Sequence, residues 1–255
     1  MSGFRVLLGK ELAEQVRTLR LVVVAIVFAS FGILSPLTAK YLPDLIKTLG
    51  GDQLGIVITL PTPTITDAID QLLKNVSQFG ILAAILLAMG TVATEKDRGT
   101  AAFVLSKPAS RAAFLGAKIV AIALDLLIAV GAAGITGFGY TAYLFHAPPA
   151  DGYAAMCLLL WLSLVVYASL TFLGSALTRS AAAGAGIGFA FLVVTGIVGA
   201  LPTIGRFMPG GLMTPARAFG LGTDPGDVLG PVLVNVVVVL VLAAASWAAF
   251  RRQEL

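Results

Sequence analysis

The sequence predicts an all-α membrane protein, a bundle of six transmembrane helices preceded by an interfacial helix. Two observations carry this. Of 255 residues, 58% are hydrophobic and only 12% are charged, with a mean hydropathy of +0.97. A soluble domain carries about 25% charged residues, and half that share leaves too little to cover a surface facing water. In addition, six stretches approach or exceed the roughly 20 apolar residues that one bilayer crossing requires. The apolar content and a net charge of only +4 exclude a disordered chain. The single cysteine, Cys157, leaves no internal disulfide and no cysteine-cluster metal site. The single histidine, His146, leaves no H-E-x-x-H zinc site. The chain reads as one transmembrane domain over residues 1–255.

In chain order, residues 3–20 form an amphipathic helix. Phe4, Leu8, Leu12, Val16 and Leu19 recur every three or four residues as one apolar stripe, while Arg5, Lys10, Glu14 and Arg17 occupy other faces. Such a helix lies in the headgroup layer with its basic residues near anionic lipid; the alternative is a plain cytosolic extension of the first span. The spans follow at about 21–39, 75–94, 119–145, 153–178, 180–205 and 228–250. Helices this long with at most one charge belong in lipid. The apolar run of the first exceeds the 7–15-residue core of a signal peptide, and Glu11 and Glu14 precede it, so it reads as a retained span.

The loop 40–74 is too long to be structureless. Thr64 and Asp67 have the spacing of a capping box, after Pro61 and Pro63, and Ile65, Ile69, Leu72, Leu73 and Val76 carry a helical stripe into the second span. The loop 206–227 is broken by Pro209, Pro215 and Pro225 yet keeps Phe207, Leu212, Met213 and Phe219. That composition fits short re-entrant or interfacial helices packed in protein, with an ordinary surface loop as the competing reading.

An even number of spans puts both termini on one side. Twelve of the seventeen basic residues then share that side: Arg5, Lys10, Arg17, Arg20, Lys96, Arg98, Lys107, Arg111, Lys118, Arg179, Arg251 and Arg252. By the positive-inside rule this side is cytoplasmic, which makes the chain a multi-pass protein of the cell membrane with cytoplasmic termini.

The loop between spans two and three, residues 95–118, concentrates the remaining information. Glu95, Lys96, Asp97 and Arg98 form a mixed-sign cluster, Phe103, Val104 and Leu105 are apolar in a water-facing loop, Pro108 breaks any helix, and Ser110 can cap the next one. Apolar residues on a charged loop call for a covering surface, either a partner or the bundle itself.

This run, Glu95-Lys96, Gly99-Thr100, Leu105-Ser106, Pro108, Ser110-Arg111 and Lys118, resembles the segment between the second and third spans of the permease subunit of type-2 ABC transporters, chiefly exporters. Lys10-Glu11-Leu12 is similar to that family's N-terminal elbow helix. The resemblance spans essentially the whole chain. It implies that Glu95, Lys96, Asp97, Arg98, Gly99, Thr100, Phe103, Val104 and Leu105 belong to a cytoplasmic coupling helix that docks on a separate ATPase (nucleotide-binding) subunit. It also implies a pathway between two six-span halves, so that the partners are that ATPase, a second permease copy or a sister permease, and membrane lipid, with no nucleic acid.

The chain itself lacks the means to hydrolyse ATP. A phosphate-binding P-loop needs G-x-x-x-x-G-K-[ST], and the only Gly-Lys pair, Gly9-Lys10, is followed by Glu11. No cofactor is therefore expected on this chain; ATP and magnesium would sit on the partner. Small residues let helices approach in lipid. Gly131, Gly134, Gly137 and Gly139 in the third span, and Gly184, Gly188, Gly196 and Gly199 in the fifth, serve packing within one bundle or between copies. Asp125 is the ionisable residue well inside a span, with structural, gating and proton-relay roles open to it. A stand-alone secondary transporter of a small solute, with Asp125 as its functional group, is the alternative reading. An intramembrane enzyme would need a nucleophile with a base or acidic metal ligands, which one histidine and sparse acids disfavour.

Overall fold

The computed structural model describes residues 2–46, 62–100 and 110–253. Among them are nine α-helices and no strand: α1 Ser2–Arg17, α2 Arg20–Ile46, α3 Ile65–Met89, α4 Ala93–Asp97, α5 Arg111–Leu144, α6 Ala150–Leu177, α7 Ala181–Gly199, α8 Met213–Leu221 and α9 Leu229–Arg251. They provide six segments long and apolar enough to cross a membrane: α2, α3 together with α4, α5, α6, α7 and α9.

The helices begin where local chemistry starts them. The Asp67 carboxylate accepts from the Thr64 amide at 2.7 Å and from its hydroxyl at 2.8 Å, so α3 starts ten residues before the span expected from hydropathy. The Ser110 hydroxyl accepts from the Ala113 amide at 3.1 Å and starts α5 at Arg111, eight residues before its apolar run. Between α1 and α2, Leu19 takes a left-handed φ of +59°, an uncommon state for a non-glycine residue, and turns the chain from α1 into α2.

Helix α6 is the axis of the bundle. Two-thirds of its most apolar stretch is buried, against 11% for α9 and 17% for α7. Helices α3, α5, α7, α8 and α9 all pack on it, and α2 lies along α5. Small residues make these contacts close. A Cβ at Gly32 would fall 2.0 Å from the Thr136 hydroxyl and 2.5 Å from the Ala133 carbonyl of α5. At Gly188 it would meet the Thr171 hydroxyl of α6 at 2.3 Å, and at Gly184 the Met89 carbonyl of α3 at 2.7 Å. The GxxxG pair of the fifth span thus packs within the chain. A Cβ at Gly186, Gly196 or Gly199 would meet nothing within 4 Å.

At the end of the bundle away from the termini, residues 205–221 form two short 3₁₀ turns and α8. Leu212 and Ala216 are fully buried, and Gly152 of α6 lies so close that a Cβ there would meet the Phe219 carbonyl at 2.2 Å. This broken apolar stretch is packed in protein, in line with the first of its two sequence readings. Arg217 of α8 grips Asp70 of α3 through two hydrogen bonds, of 2.5 and 3.0 Å. Lys40 of α2 donates to the Leu144 carbonyl at the end of α5.

Candidate functional site at the terminal end of the bundle

The second span does not simply stop at Glu95. Helix α3 ends at Met89, the chain turns through Gly90, Thr91 and Val92, and the five-residue helix α4 follows. The Val92 and Ala93 amides donate to the Ser175 hydroxyl of α6, at 3.1 and 3.0 Å, and pin this turn to the axis of the bundle. Gly99, at φ +69°, ends α4 in the left-handed conformation that glycine adopts without a Cβ clash.

The first residue of the charged cluster points inward. Glu95 Oε1 accepts from the Lys118 ammonium at 2.7 Å, and the same ammonium donates to Glu11 Oε1 at 2.9 Å. Only 2% of the Lys118 side chain is exposed. An unpaired ammonium would be costly at that depth, and two carboxylates answer it here. Lys10 of α1 lies 3.6 Å from Glu11, 3.7 Å from Glu14 and 3.9 Å from Glu95. Partial burial acts to lower the pKa of Lys10, but Glu11, Glu95 and Glu14 outweigh it and leave it above its ordinary value. Two lysines and three carboxylates therefore join α1, α4 and α5 at one node. The second Glu95 oxygen, Oε2, is buried with no hydrogen-bond partner among the described residues.

Lys96 also points inward. Its ammonium donates to the Ala176 carbonyl at the end of α6, at 2.7 Å, and to Gln253 Oε1 at 3.1 Å. Arg111, the first residue of α5, donates to the carbonyls of Phe250, Arg251 and Gln253 at 2.8–3.2 Å, closing the C-terminus of α9. Both ends of the chain are thus fastened to the loop between spans two and three.

Those of the residues expected to form a docking segment that are described divide in two. Glu95 and Lys96 are engaged within the chain. Asp97, Arg98, Gly99 and Thr100 are exposed at the end of the bundle. Phe103, Val104 and Leu105 lie outside the described residues. Sequence reasoning singled out Lys10-Glu11, Arg111 and Lys118 as motif residues but did not pair them with one another. The face that α1 turns to the bundle carries Phe4, Leu7, Glu11 and Gln15, at spacings of three and four, whereas Val16 and Leu19 of the expected apolar stripe are exposed, so the stripe alone did not point to Glu11.

Asp125 is fully buried in α5, on the helical face of Lys118 and Ile122. Gln15 of α1 is the polar side chain set against it. Neither Asp125 oxygen has a hydrogen bond of normal geometry among the described residues, and the Gln15 amide oxygen is likewise buried without a donor. Trp161 donates to the Ala123 carbonyl at 2.8 Å, and the partly exposed Trp247 lies under Arg251.

The profile of the family described as "ABC-2 family transporter protein" matches residues 5–255, nearly the whole chain. The chain belongs to the ABC-2 transporter family. It is 27% identical over 259 residues to the uncharacterized transmembrane protein YxlG of Bacillus subtilis (strain 168), covering 100% of this chain and 99% of that protein. Membership of the ABC-2 family makes the chain a membrane-spanning, non-catalytic subunit of an ABC transporter. The six apolar helices fit this.

Proposed function

We propose that this ABC-2 protein is the permease of an ATP-driven exporter for a hydrophobic or amphipathic substrate, with ATP and magnesium held by a separate ATPase subunit. Two six-span halves, identical or sister chains, enclose the pathway, and both termini are cytoplasmic. The observation that carries the proposal is the arrangement of residues 95–100. Helix α4 is fixed to α1, α5 and α6 from within, while Asp97 to Thr100 are exposed at the end of the bundle where both termini lie. A partner that binds the exposed residues and the apolar Phe103–Leu105 run can push on α4, and the push reaches α1 and α5 through Glu95 and Lys118. Such a force does work only if it bears differently on two conformations of the bundle.

The test is a complex purified with its ATPase. Replacing Phe103 and Leu105 by Asp is expected to leave membrane insertion intact and to lower substrate-stimulated ATP hydrolysis by at least about tenfold, since loss of a hot-spot anchor costs a docking site about 2 kcal/mol or more. Normal hydrolysis and transport in that variant would overturn the docking assignment. A second reading, a stand-alone secondary transporter, is favoured by the buried carboxyl of Asp125, which faces Gln15 without a hydrogen bond of normal geometry. It requires solute uptake by the purified chain alone, in vesicles free of nucleotide, and loss of that uptake in Asp125→Asn.

A further inference from the structure

Beside the charged node, the bundle encloses a cavity of about 820 Å³, bounded by α1, α2, α3, α4 and α5. Its walls differ by depth. The inner wall is apolar, with Val23, Val24, Leu86, Leu87 and Ile122. Val23 and Leu86 are also more than half exposed on the flank of the bundle, so this wall is continuous with the lipid-facing surface. The mouth, at the terminal end, is charged.

The charges at the mouth are not equivalent. Glu11, Glu14 and Glu95 are all engaged by Lys10 or Lys118. The two remaining cations, Arg20 at the start of α2 and Arg98 after α4, are exposed and form no ion pair among the described residues. Four cations against three carboxylates leave the mouth with one positive charge in excess, and the guanidinium groups are the ones free to serve an anion. Arg is suited to phosphate because its planar fork of N–H donors matches phosphate oxygens. Two arginines free of ion pairs on the lining of one cavity, above an apolar wall continuous with the lipid-facing surface, match an amphiphile with an anionic head and hydrocarbon tails.

We propose that this cavity binds one anionic phospholipid from the leaflet at the terminal end of the bundle, with its phosphate between Arg20 and Arg98 and its acyl chains along Val23, Val24, Leu86 and Leu87. The headgroup bridges α2 to the segment that follows α4. The lipid therefore reports on, and fastens, the separation between the first span and the exposed Asp97–Thr100 run. This site is independent of the export reading, because lipid retention is measured without transport.

The experiment is native mass spectrometry of the full chain in detergent, titrated with phosphatidylglycerol or with phosphatidylcholine of the same acyl chains. One phosphatidylglycerol is expected to stay bound under conditions that strip phosphatidylcholine. Arg20→Gln and Arg98→Gln are each expected to weaken it about fivefold, and the pair about 30-fold, at the usual worth of a basic residue facing anionic lipid. Arg206→Gln, at the opposite end, is expected to leave retention unchanged. Equal retention of the two lipids overturns the proposal. So does an undiminished preference in the double variant. Displacement of phosphatidylglycerol by millimolar inorganic phosphate overturns the lipid assignment, since a site that ignores the acyl chains is a phosphate site. Both arginines are exposed, so a monodisperse elution profile suffices to show that the variants fold.

Discussion

Lys118→Met removes the cation at the centre of the three-helix node and leaves its volume nearly unchanged. The ammonium is 2% exposed, while Glu11 and Glu95 are 10% and 19% exposed, so both carboxylates would lose their shortest partner in a setting with little water. Breaking a buried ion pair from one side costs about 3–5 kcal/mol. Two features reduce that figure here. Lys10 stays within 3.6 Å of Glu11 and 3.9 Å of Glu95, and Glu95 is partly wet. A loss of about 2–4 kcal/mol follows, which for a chain of this size is about 4–16 °C in apparent melting temperature. The assay is the melting of the purified protein in detergent, read as loss of the monodisperse peak. Glu11→Gln in the Lys118→Met background should cost much less than Glu11→Gln alone, a coupling of about 1–3 kcal/mol. An unchanged melting temperature in Lys118→Met, or strict additivity in the double variant, would refute the idea that this node holds α1, α4 and α5 together.

The remaining predictions test other parts of the fold. Lys10→Gln touches pairs of 3.6–3.9 Å on a side chain that is about half exposed, so it should cost no more than about 1 kcal/mol in the same melt, and raised salt should shrink the difference. Gly32→Ala forces a methyl into the Thr136 hydroxyl and the Ala133 carbonyl and should destabilise by about 1–3 kcal/mol, whereas Gly131→Ala, with nothing within 4 Å, should be neutral; equal melts would show that α2 and α5 are not closely packed. A membrane-impermeant thiol reagent applied from outside should label Gly50→Cys and not Ala102→Cys, and the reverse pattern would invert the proposed orientation.

The helices were legible because their signals are local or nearly so. Hydropathy gave six spans. The Thr64–Asp67 spacing foretold where α3 begins, and Ser110 foretold the start of α5. Hydropathy misplaced those two starts because each helix runs past its apolar run into water-facing sequence, where a cap and not lipid decides the boundary. Residues 205–221 were legible only as broken and apolar. Their depth depends on Gly152 and Gly220, whose missing side chains admit α8 between α6 and α3, and a one-dimensional pattern does not contain that contact. The ionic node was illegible for the same reason. Glu11, Glu95 and Lys118 are separated by 84 and 23 residues, both carboxylates have an ordinary charged neighbour in Lys10 and Lys96, and nothing in the spacing tells a carboxylate that faces solvent from one that faces a lysine across a bundle.

That node also explains why a charged cluster at the exit of a span can serve two purposes. Were all of Glu95 to Arg98 to face water, the segment would be an ordinary solvated loop, and a partner docking on it would pay the entropy of ordering it. With Glu95 and Lys96 tied to Lys118, Ala176 and Gln253, the backbone of Asp97 to Thr100 is already positioned by its neighbours. Pre-ordering of this kind lowers the cost of association. It also makes the direction of an applied push definite: displacement of α4 must either carry Lys118 and Glu11 with it or break a buried ion pair. The first path moves α1 and the base of α5 together, and the second is costly, so a docked partner would move the terminal ends of three helices as a unit.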